Sequence, residues 1–105
     1  MAEIKPTPAL DPITYEVLRH RLWAINDEQG LLGAQMSGSP IVYEAYDFNS
    51  ALLSQHGETL FVGVYTTRLS LSIDIAVKTV VKEFAADPGI DDGDMFLTND
   101  PWAAA

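Results

Sequence analysis

The sequence predicts an α+β fold in which two helices pack on a small sheet that contains a β-hairpin. Two stretches carry apolar residues at helical spacing, and two short β-type runs joined by a glycine-containing turn lie between them. At 105 residues, with 48% hydrophobic and 20% charged residues, the chain has enough apolar side chains for a core and is long enough for one domain at most.

The first helix is predicted to run from Pro12 to about Met36. Asp11 is a typical N-cap residue, and proline loses no hydrogen bond at the first helical position. Apolar residues then recur at helical spacing, at Leu18, Leu22, Ile25 and Leu32. Residues 1–10 contain two prolines and few core-forming side chains, so they are predicted to form an extended N-terminal arm.

A turn is predicted at residues 37–40, which read Ser-Gly-Ser-Pro. Residues 41–43 and 51–53 follow as short β-type segments, each rich in β-branched, aromatic or aliphatic side chains. Residues 59–65 form the second strand of a hairpin whose turn contains Gly57.

The second helix is predicted over residues 70–85. Its apolar residues step by three or four positions, at Leu69, Ile73, Val77, Val80 and Phe84. Asp87-Pro88-Gly89 ends it, residues 91–94 form an acidic turn, and residues 95–98 are predicted as a last strand.

Composition excludes several function classes. Six Lys and Arg residues against 15 Asp and Glu give a net charge of −9, and the basic residues are scattered, so nucleic acid is not an expected partner. The absence of cysteine excludes disulfides and thiolate metal sites. Without an apolar run of ~20 residues or a secretory leader, the sequence predicts no membrane association and a cytoplasmic location.

Catalytic motifs are missing from the sequence. His20 and His56 are not spaced as metal ligands and are expected to be solvated, and neither a Gly-x-Ser-x-Gly elbow nor a phosphate-binding glycine loop is present. The sequence therefore identifies no catalytic residue, no metal site and no cofactor site within this chain. Acidic residues 91–94 are expected to be a solvated turn, because the ligand ladder of a calcium loop is lacking.

Two polar segments, residues 44–49 and 93–101, contain residues that are candidates for shaping a site. Asp and Asn side chains also bond to their own backbone in turns, and this alternative remains open for both segments. Among their polar residues are Asp47, Asn49, Asn99 and Asp100, for which the resemblance described next implies a role in binding substrate or shaping the site.

Taken together and in order, five segments resemble the N-terminus of the hydantoinase B family. That family includes the hydantoinase B type component of N-methylhydantoinase, the C-terminal part of 5-oxoprolinase and related subunits of acetone and acetophenone carboxylases. The segments are residues 11–17, 21–30, 37–40, 46–52, and the pair Gly93-Asp94 with Asn99-Asp100-Pro101. The four candidate residues match family positions, whereas Gln29 departs from the Glu-Met-Gly that the family often has.

The resemblance implies a parent enzyme that hydrolyses a cyclic amide of the hydantoin or 5-oxoproline type with ATP. ATP would belong to a hydantoinase A type partner, and a divalent metal would be held by ligands that follow Asn-Asp-Pro in the family. Because family members run to several hundred residues, residues 11–105 are expected to be an N-terminal portion truncated at its C-terminus and inactive alone. Its partners would be the hydantoinase A type subunit or the remainder of the hydantoinase B subunit.

Two alternatives remain at this stage. The chain is either a piece of a related ATP-dependent ketone carboxylase subunit, or a small acidic, non-catalytic module that binds a protein partner. In the second case Trp23, Trp102 and the N-terminal arm would make the contacts.

Overall fold

The computed structural model describes residues 8–103, so most of the predicted N-terminal arm lies outside the described residues. The predicted α+β class is confirmed, with four helical segments and one two-stranded sheet among the described residues. In chain order the elements are α1 (Pro12–Met36), α2 (Pro40–Tyr43), β1 (Ala51–Leu53), β2 (Thr59–Val62), α3 (Thr67–Ser70) and α4 (Ile73–Phe84).

Helix α1 begins and ends where the sequence predicts. The Asp11 side chain accepts hydrogen bonds from the backbone N–H groups of Ile13 (3.1 Å) and Thr14 (3.0 Å), and Pro12 takes the first helical position. These bonds satisfy N–H groups that have no partner inside the helix, which fixes where the helix starts.

The predicted hairpin is confirmed, although its second strand ends at Val62 rather than at residue 65. Strands β1 and β2 pair antiparallel, with Ala51 opposite Val62 and a register shift between Leu52 and Leu53. Gly57 adopts a φ of +77° in the turn, a conformation that glycine reaches without steric cost.

Helix α4 is shorter than predicted because a separate helical turn, α3, precedes it. Ser72 occupies the cap position of α4, but its hydroxyl donates to the Leu69 carbonyl (3.3 Å) instead of capping the helix. The hairpin turn lies against α4, since a Cβ atom placed on Gly57 would lie 2.8 Å from Cγ of Lys78.

Two predicted β segments are wrong. Residues 41–43 form the helical turn α2, because Ser39 and Pro40 supply the cap position and the first helical position, as Asp11 and Pro12 do for α1. This local start signal outweighs the β propensity of Ile41 and Val42. Residues 95–98 do not belong to any strand, because no other strand lies beside them in the described part of the chain.

The core of the described chain is thin. Among residues 8–103, Ala34 is the one buried apolar side chain and Asn26 the one buried polar side chain. Helix α1 is about 37 Å long, and a hairpin with strands of three and four residues covers little of it. Consistent with this, the radius of gyration is 16.0 Å, against about 13 Å for a compact domain of this length.

The apolar stripe on α1, which the sequence predicts to face the protein core, is mostly exposed. Leu18, Ile25 and Leu32 keep 44%, 51% and 47% of their surface accessible. These side chains are therefore available for contact with another protein segment. Within residues 8–103, no helix combines the length and the apolar character needed to cross a membrane.

Candidate functional site

Side-chain hydrogen bonds join α1 to the hairpin where the two elements meet. We call this contact the polar seam, and it consists of Asn26, Gln29, Asn49, Ser50 and Thr66. Asn26 is 1% exposed, and its Oδ1 accepts a hydrogen bond from Gln29 Nε2 (2.8 Å). Gln29 Nε2 also donates to the Ala51 carbonyl (3.1 Å), and Ser50 Oγ donates to the Asn26 carbonyl (3.4 Å). These bonds connect the middle of α1 to the first strand of the hairpin.

Two glycines make the close approach at the seam possible. A Cβ atom on Gly30 would lie 2.5 Å from Cε2 of Tyr65 and 3.0 Å from Oγ of Ser50. A Cβ atom on Gly63 would lie 2.7 Å from both Oδ1 of Asn49 and Oγ of Ser50. Real Cβ contacts essentially never fall below 3.0 Å. A side chain at Gly30 would therefore push α1 away from Tyr65, and a side chain at Gly63 would displace Asn49 and Ser50 at the corner.

Asp47 and Asn49, two of the predicted site residues, meet at Thr66. The Thr66 hydroxyl lies 3.2 Å from Oδ1 of Asp47 and 3.0 Å from the Tyr46 carbonyl. Asn49 Nδ2 donates to the Thr66 carbonyl (3.2 Å), while its Oδ1 accepts from the N–H of Ser50 (2.9 Å). Both candidates therefore fix the corner between residues 46–50 and the end of the hairpin.

An aromatic cluster borders this corner. The ring of Tyr65 stacks on Phe48 at a centroid distance of 4.4 Å and on Tyr46 at 5.9 Å. Tyr46 has a φ of +53°, which is unusual for a residue other than glycine. Tyr46 and Tyr65 also line a shallow surface cleft of about 260 Å³. The cluster gives the corner an apolar wall beside the exposed Asp47 carboxylate.

Asn99 and Asp100, the other two predicted site residues, lie on a different part of the molecule. Asp100 makes local turn bonds, accepting from the N–H of Trp102 (2.9 Å) and donating its own N–H to the Thr98 hydroxyl (3.2 Å). Asp100 also lines a cleft against α4 together with Thr79 and Glu83. Within residues 8–103, no hydrogen bond joins Asn99 or Asp100 to Asp47 or Asn49.

The titratable groups with shifted pKa values lie away from the seam. Hydrogen bonding by Thr14 lowers the pKa of Asp11, and the Arg19 guanidinium lowers the pKa of Glu16 across a 2.9 Å ion pair. On α4, Lys78 lowers the pKa of Asp74 across 2.8 Å. These pairs stabilise helix surfaces, and they place no acid and base together for proton transfer.

The described residues do not fit a divalent metal. Nowhere in residues 8–103 do three or more His, Asp or Glu side chains come together as a ligand set. His20 and His56 are both exposed, as predicted, and lie on α1 and in the hairpin turn respectively.

Most of the seam is not among the residues predicted from the sequence. Asn26, Gly30 and Ala34 are the buried residues of α1, and they step by four positions along one face. This face carries small or polar residues, so a search for large apolar residues overlooks it. The sequence feature that indicates this contact is the presence of small residues four positions apart, because small residues allow another chain segment to approach a helix closely.

Comparison with known proteins gives two matches. Residues 11–105 match the family described as Hydantoinase B/oxoprolinase. An uncharacterized protein of Methanocaldococcus jannaschii is 29% identical over 96 residues, which cover 90% of this chain and 17% of that protein. The chain thus spans about a sixth of the length of this relative. No solved structure matches the chain.

Proposed function

Because the chain belongs to the hydantoinase B/oxoprolinase family, we propose that it forms the N-terminal part of a hydantoinase B type subunit. The assembled enzyme hydrolyses a cyclic amide of the hydantoin or 5-oxoproline type, and a hydantoinase A type partner turns over ATP. The observation that carries this proposal is the family match over residues 11–105, which spans almost the whole chain.

In this assembly the proposed role of the chain is to hold Asp47 and the aromatic cluster in a fixed position. The side chains of the seam bond to one another and to backbone groups of the hairpin, and no buried side-chain N or O atom in the described residues lacks a partner. A fully satisfied network holds its members in one arrangement. The seam thereby fixes Asp47 and the aromatic cluster at the surface, where they form part of the wall of a site completed by other segments.

The chemistry proposed for the parent enzyme is the addition of water across the amide C–N bond. The carbonyl carbon gains the water oxygen and becomes a carboxylate, and the ring nitrogen takes up a proton and becomes the amine of a 5-oxoproline product or the ureido nitrogen of a hydantoin product, while a second water converts ATP to ADP and phosphate in the partner. The divalent metal and the nucleotide are assigned to segments outside residues 8–103, since the described residues supply no metal ligand set. The cytoplasm is the proposed compartment.

A related ATP-dependent ketone carboxylase is the alternative activity, because the same family resemblance covers those subunits. The two reactions differ in a simple respect. A hydrolase adds water to its substrate, whereas a carboxylase adds carbon dioxide.

A non-catalytic protein-binding module is the second candidate function. The exposed apolar side chains favour it: Met95, Leu97 and Trp102 are 94%, 100% and 93% accessible. Exposed apolar surface of this kind marks a contact with another protein. Both candidates therefore predict a partner, and they differ in whether the complex turns over ATP.

The test is a three-component reconstitution. This protein, the remaining segment of a hydantoinase B subunit and a hydantoinase A type protein, all encoded in one genome, are mixed with ATP and hydantoin, N-methylhydantoin, 5-oxoproline or acetone. We expect substrate-dependent ADP release only when all three proteins are present. Turnover that is unchanged when this protein is omitted would contradict the proposal, as would turnover by the 105-residue chain alone.

A further inference from the structure

Residues 95–98, which we call the edge segment, have the sequence pattern of a strand but no neighbouring strand. Within residues 8–103, no backbone N–H or C=O group of the edge segment makes a backbone hydrogen bond. The nearest backbone bonds are those of the turns on either side, from the Asp94 N–H to the Asp91 carbonyl and from the Ala103 N–H to the Asp100 carbonyl. The edge segment therefore offers donors and acceptors along its length.

Side chains in the edge segment alternate as they do in a strand. Phe96 stacks on Phe84 of α4 at 5.9 Å, and Thr98 lines the groove of about 680 Å³ along the same helix. Met95 and Leu97 are 94% and 100% exposed, although Leu97 also borders the cleft against α4. A repeat of two residues is the side-chain period of a β-strand, so one face of the strand is already seated on α4.

Charges at both ends of the edge segment restrict what can pair with it. Asp91, Asp92 and Asp94 precede it and Asp100 follows it. In the described part of the chain, none of these carboxylates takes part in an ion pair. A second copy of this chain, with its own net charge of −9, would bring acidic ends together. A strand with Lys or Arg at its ends would complement them.

We propose that the edge segment binds a β-strand that has alternating apolar residues and basic ends. Main-chain hydrogen bonds would supply affinity, and the flanking aspartates would favour the basic strand. Its source is the part of the longer subunit that lies outside this chain, since the chain spans only 17% of its Methanocaldococcus relative. This last step rests on the proposed function.

The probe for the strand chemistry is the capped peptide Lys-Lys-Val-Thr-Val-Thr-Val-Lys-Lys. Amide hydrogen exchange of the purified protein is measured with and without it, and we expect the peptide to slow exchange in the edge segment by about tenfold or more. A peptide N-methylated at every residue of its Val-Thr-Val-Thr-Val core has no N–H donor on either edge and should bind at least about tenfold more weakly. A peptide with Glu in place of Lys should also bind more weakly, by a margin that shrinks as salt is added.

Matched variants separate backbone pairing from side-chain contact. Leu97→Pro removes a backbone donor, whereas Leu97→Ala keeps it and changes only a fully exposed side chain. We expect Leu97→Pro to abolish the peptide-induced protection and Leu97→Ala to retain it. Equal protection in both variants would overturn the proposal, and so would binding that N-methylation leaves unchanged.

The free protein provides a further control. Edge-segment amides that are already protected at low protein concentration would show that the segment is paired within the chain. Protection that rises with protein concentration and no peptide would identify a second copy as the occupant. Either result contradicts the proposal.

The source of the strand is tested by repeating the exchange measurement with the remaining hydantoinase B segment in place of the peptide. Protection by the peptide but not by that segment would refute the assigned source. This measurement uses neither ATP nor a cyclic amide. Its outcome is therefore separate from that of the turnover assay.

Discussion

Gly30 is a position where one added methyl group tests the packing of α1 against the hairpin. In Gly30→Ala the new Cβ atom would lie 2.5 Å from Cε2 of Tyr65 and 3.0 Å from Oγ of Ser50. The Tyr65 ring cannot move away freely, because it stacks on Phe48 at 4.4 Å. Ser50 is held by its bond to the Asn26 carbonyl.

The expected change in the free energy of unfolding of Gly30→Ala is the sum of two opposing effects. Alanine in a helix interior is favoured over glycine by about 1 kcal/mol, and overpacking costs about 1–3 kcal/mol. We therefore expect Gly30→Ala to lower the free energy of unfolding by about 1 kcal/mol, taking about 2 kcal/mol for the steric cost.

Gly33→Ala is the matched control on the same helix. No atom lies within 4 Å of the position its Cβ would take, so only the helix propensity changes and the variant should gain about 1 kcal/mol. Urea unfolding followed by far-ultraviolet circular dichroism compares the two variants with the parent chain. If Gly30→Ala is as stabilising as Gly33→Ala, the packing described for α1 against the hairpin is wrong.

Three further predictions concern the corner, the helix start and the hairpin turn. Asn49→Ala removes the bond to the Thr66 carbonyl and the bond from the Ser50 N–H, so urea unfolding should show a loss of about 1–2 kcal/mol; an unchanged midpoint would contradict this. Hydrogen bonding by Thr14 lowers the folded-state pKa of Asp11 below its ordinary value of 3.8, so the cap stabilises α1 above that pH and is lost as pH falls through the lower folded-state pKa. Asp11→Asn, which still caps the helix, should show a weaker loss of helicity in an acid titration followed by circular dichroism, and an identical titration would count against the cap. Gly57→Ala should lose about 1–2 kcal/mol in the same urea assay, because a φ of +77° is costly for alanine; a neutral effect would show that the turn is free to rearrange.

Elements with strong local signals are predictable from the sequence. Helix α1 follows from Asp11-Pro12, whose cap bonds the structure shows directly. The hairpin follows from two β-type runs on either side of Gly57, and α4 from the regular spacing of its apolar residues. In each case propensity, periodicity and capping favour the same conformation.

Elements whose structure depends on a neighbour are less predictable. The composition of residues 41–43 predicts a strand, although Ser39-Pro40 carries the same type of helix start signal as α1. Residues 95–98 have the composition and alternation of a strand, but a sequence does not reveal which strand will pair with them. The seam escapes prediction for a similar reason, because its tight contact depends on Gly30 meeting Tyr65, which lies in a distant part of the sequence.

The position of the candidate site is predicted in part, and its role stays a prediction. The sequence singles out Asp47 and Asn49, and these two residues do meet, at Thr66. Asn99 and Asp100 lie on a separate segment, where Asp100 makes local turn bonds.

The mass of the product formed by the reconstituted enzyme tests the proposed hydrolase activity most directly. Cyclic amide substrates and acetone are each incubated with the three proteins, ATP and bicarbonate, and the products are analysed by mass spectrometry. We expect a cyclic amide to gain the mass of one water molecule while ADP is released, and acetone to remain unchanged. A ketone product that gains the mass of carbon dioxide, with the cyclic amides unchanged, would contradict the proposal and assign the chain to a carboxylase.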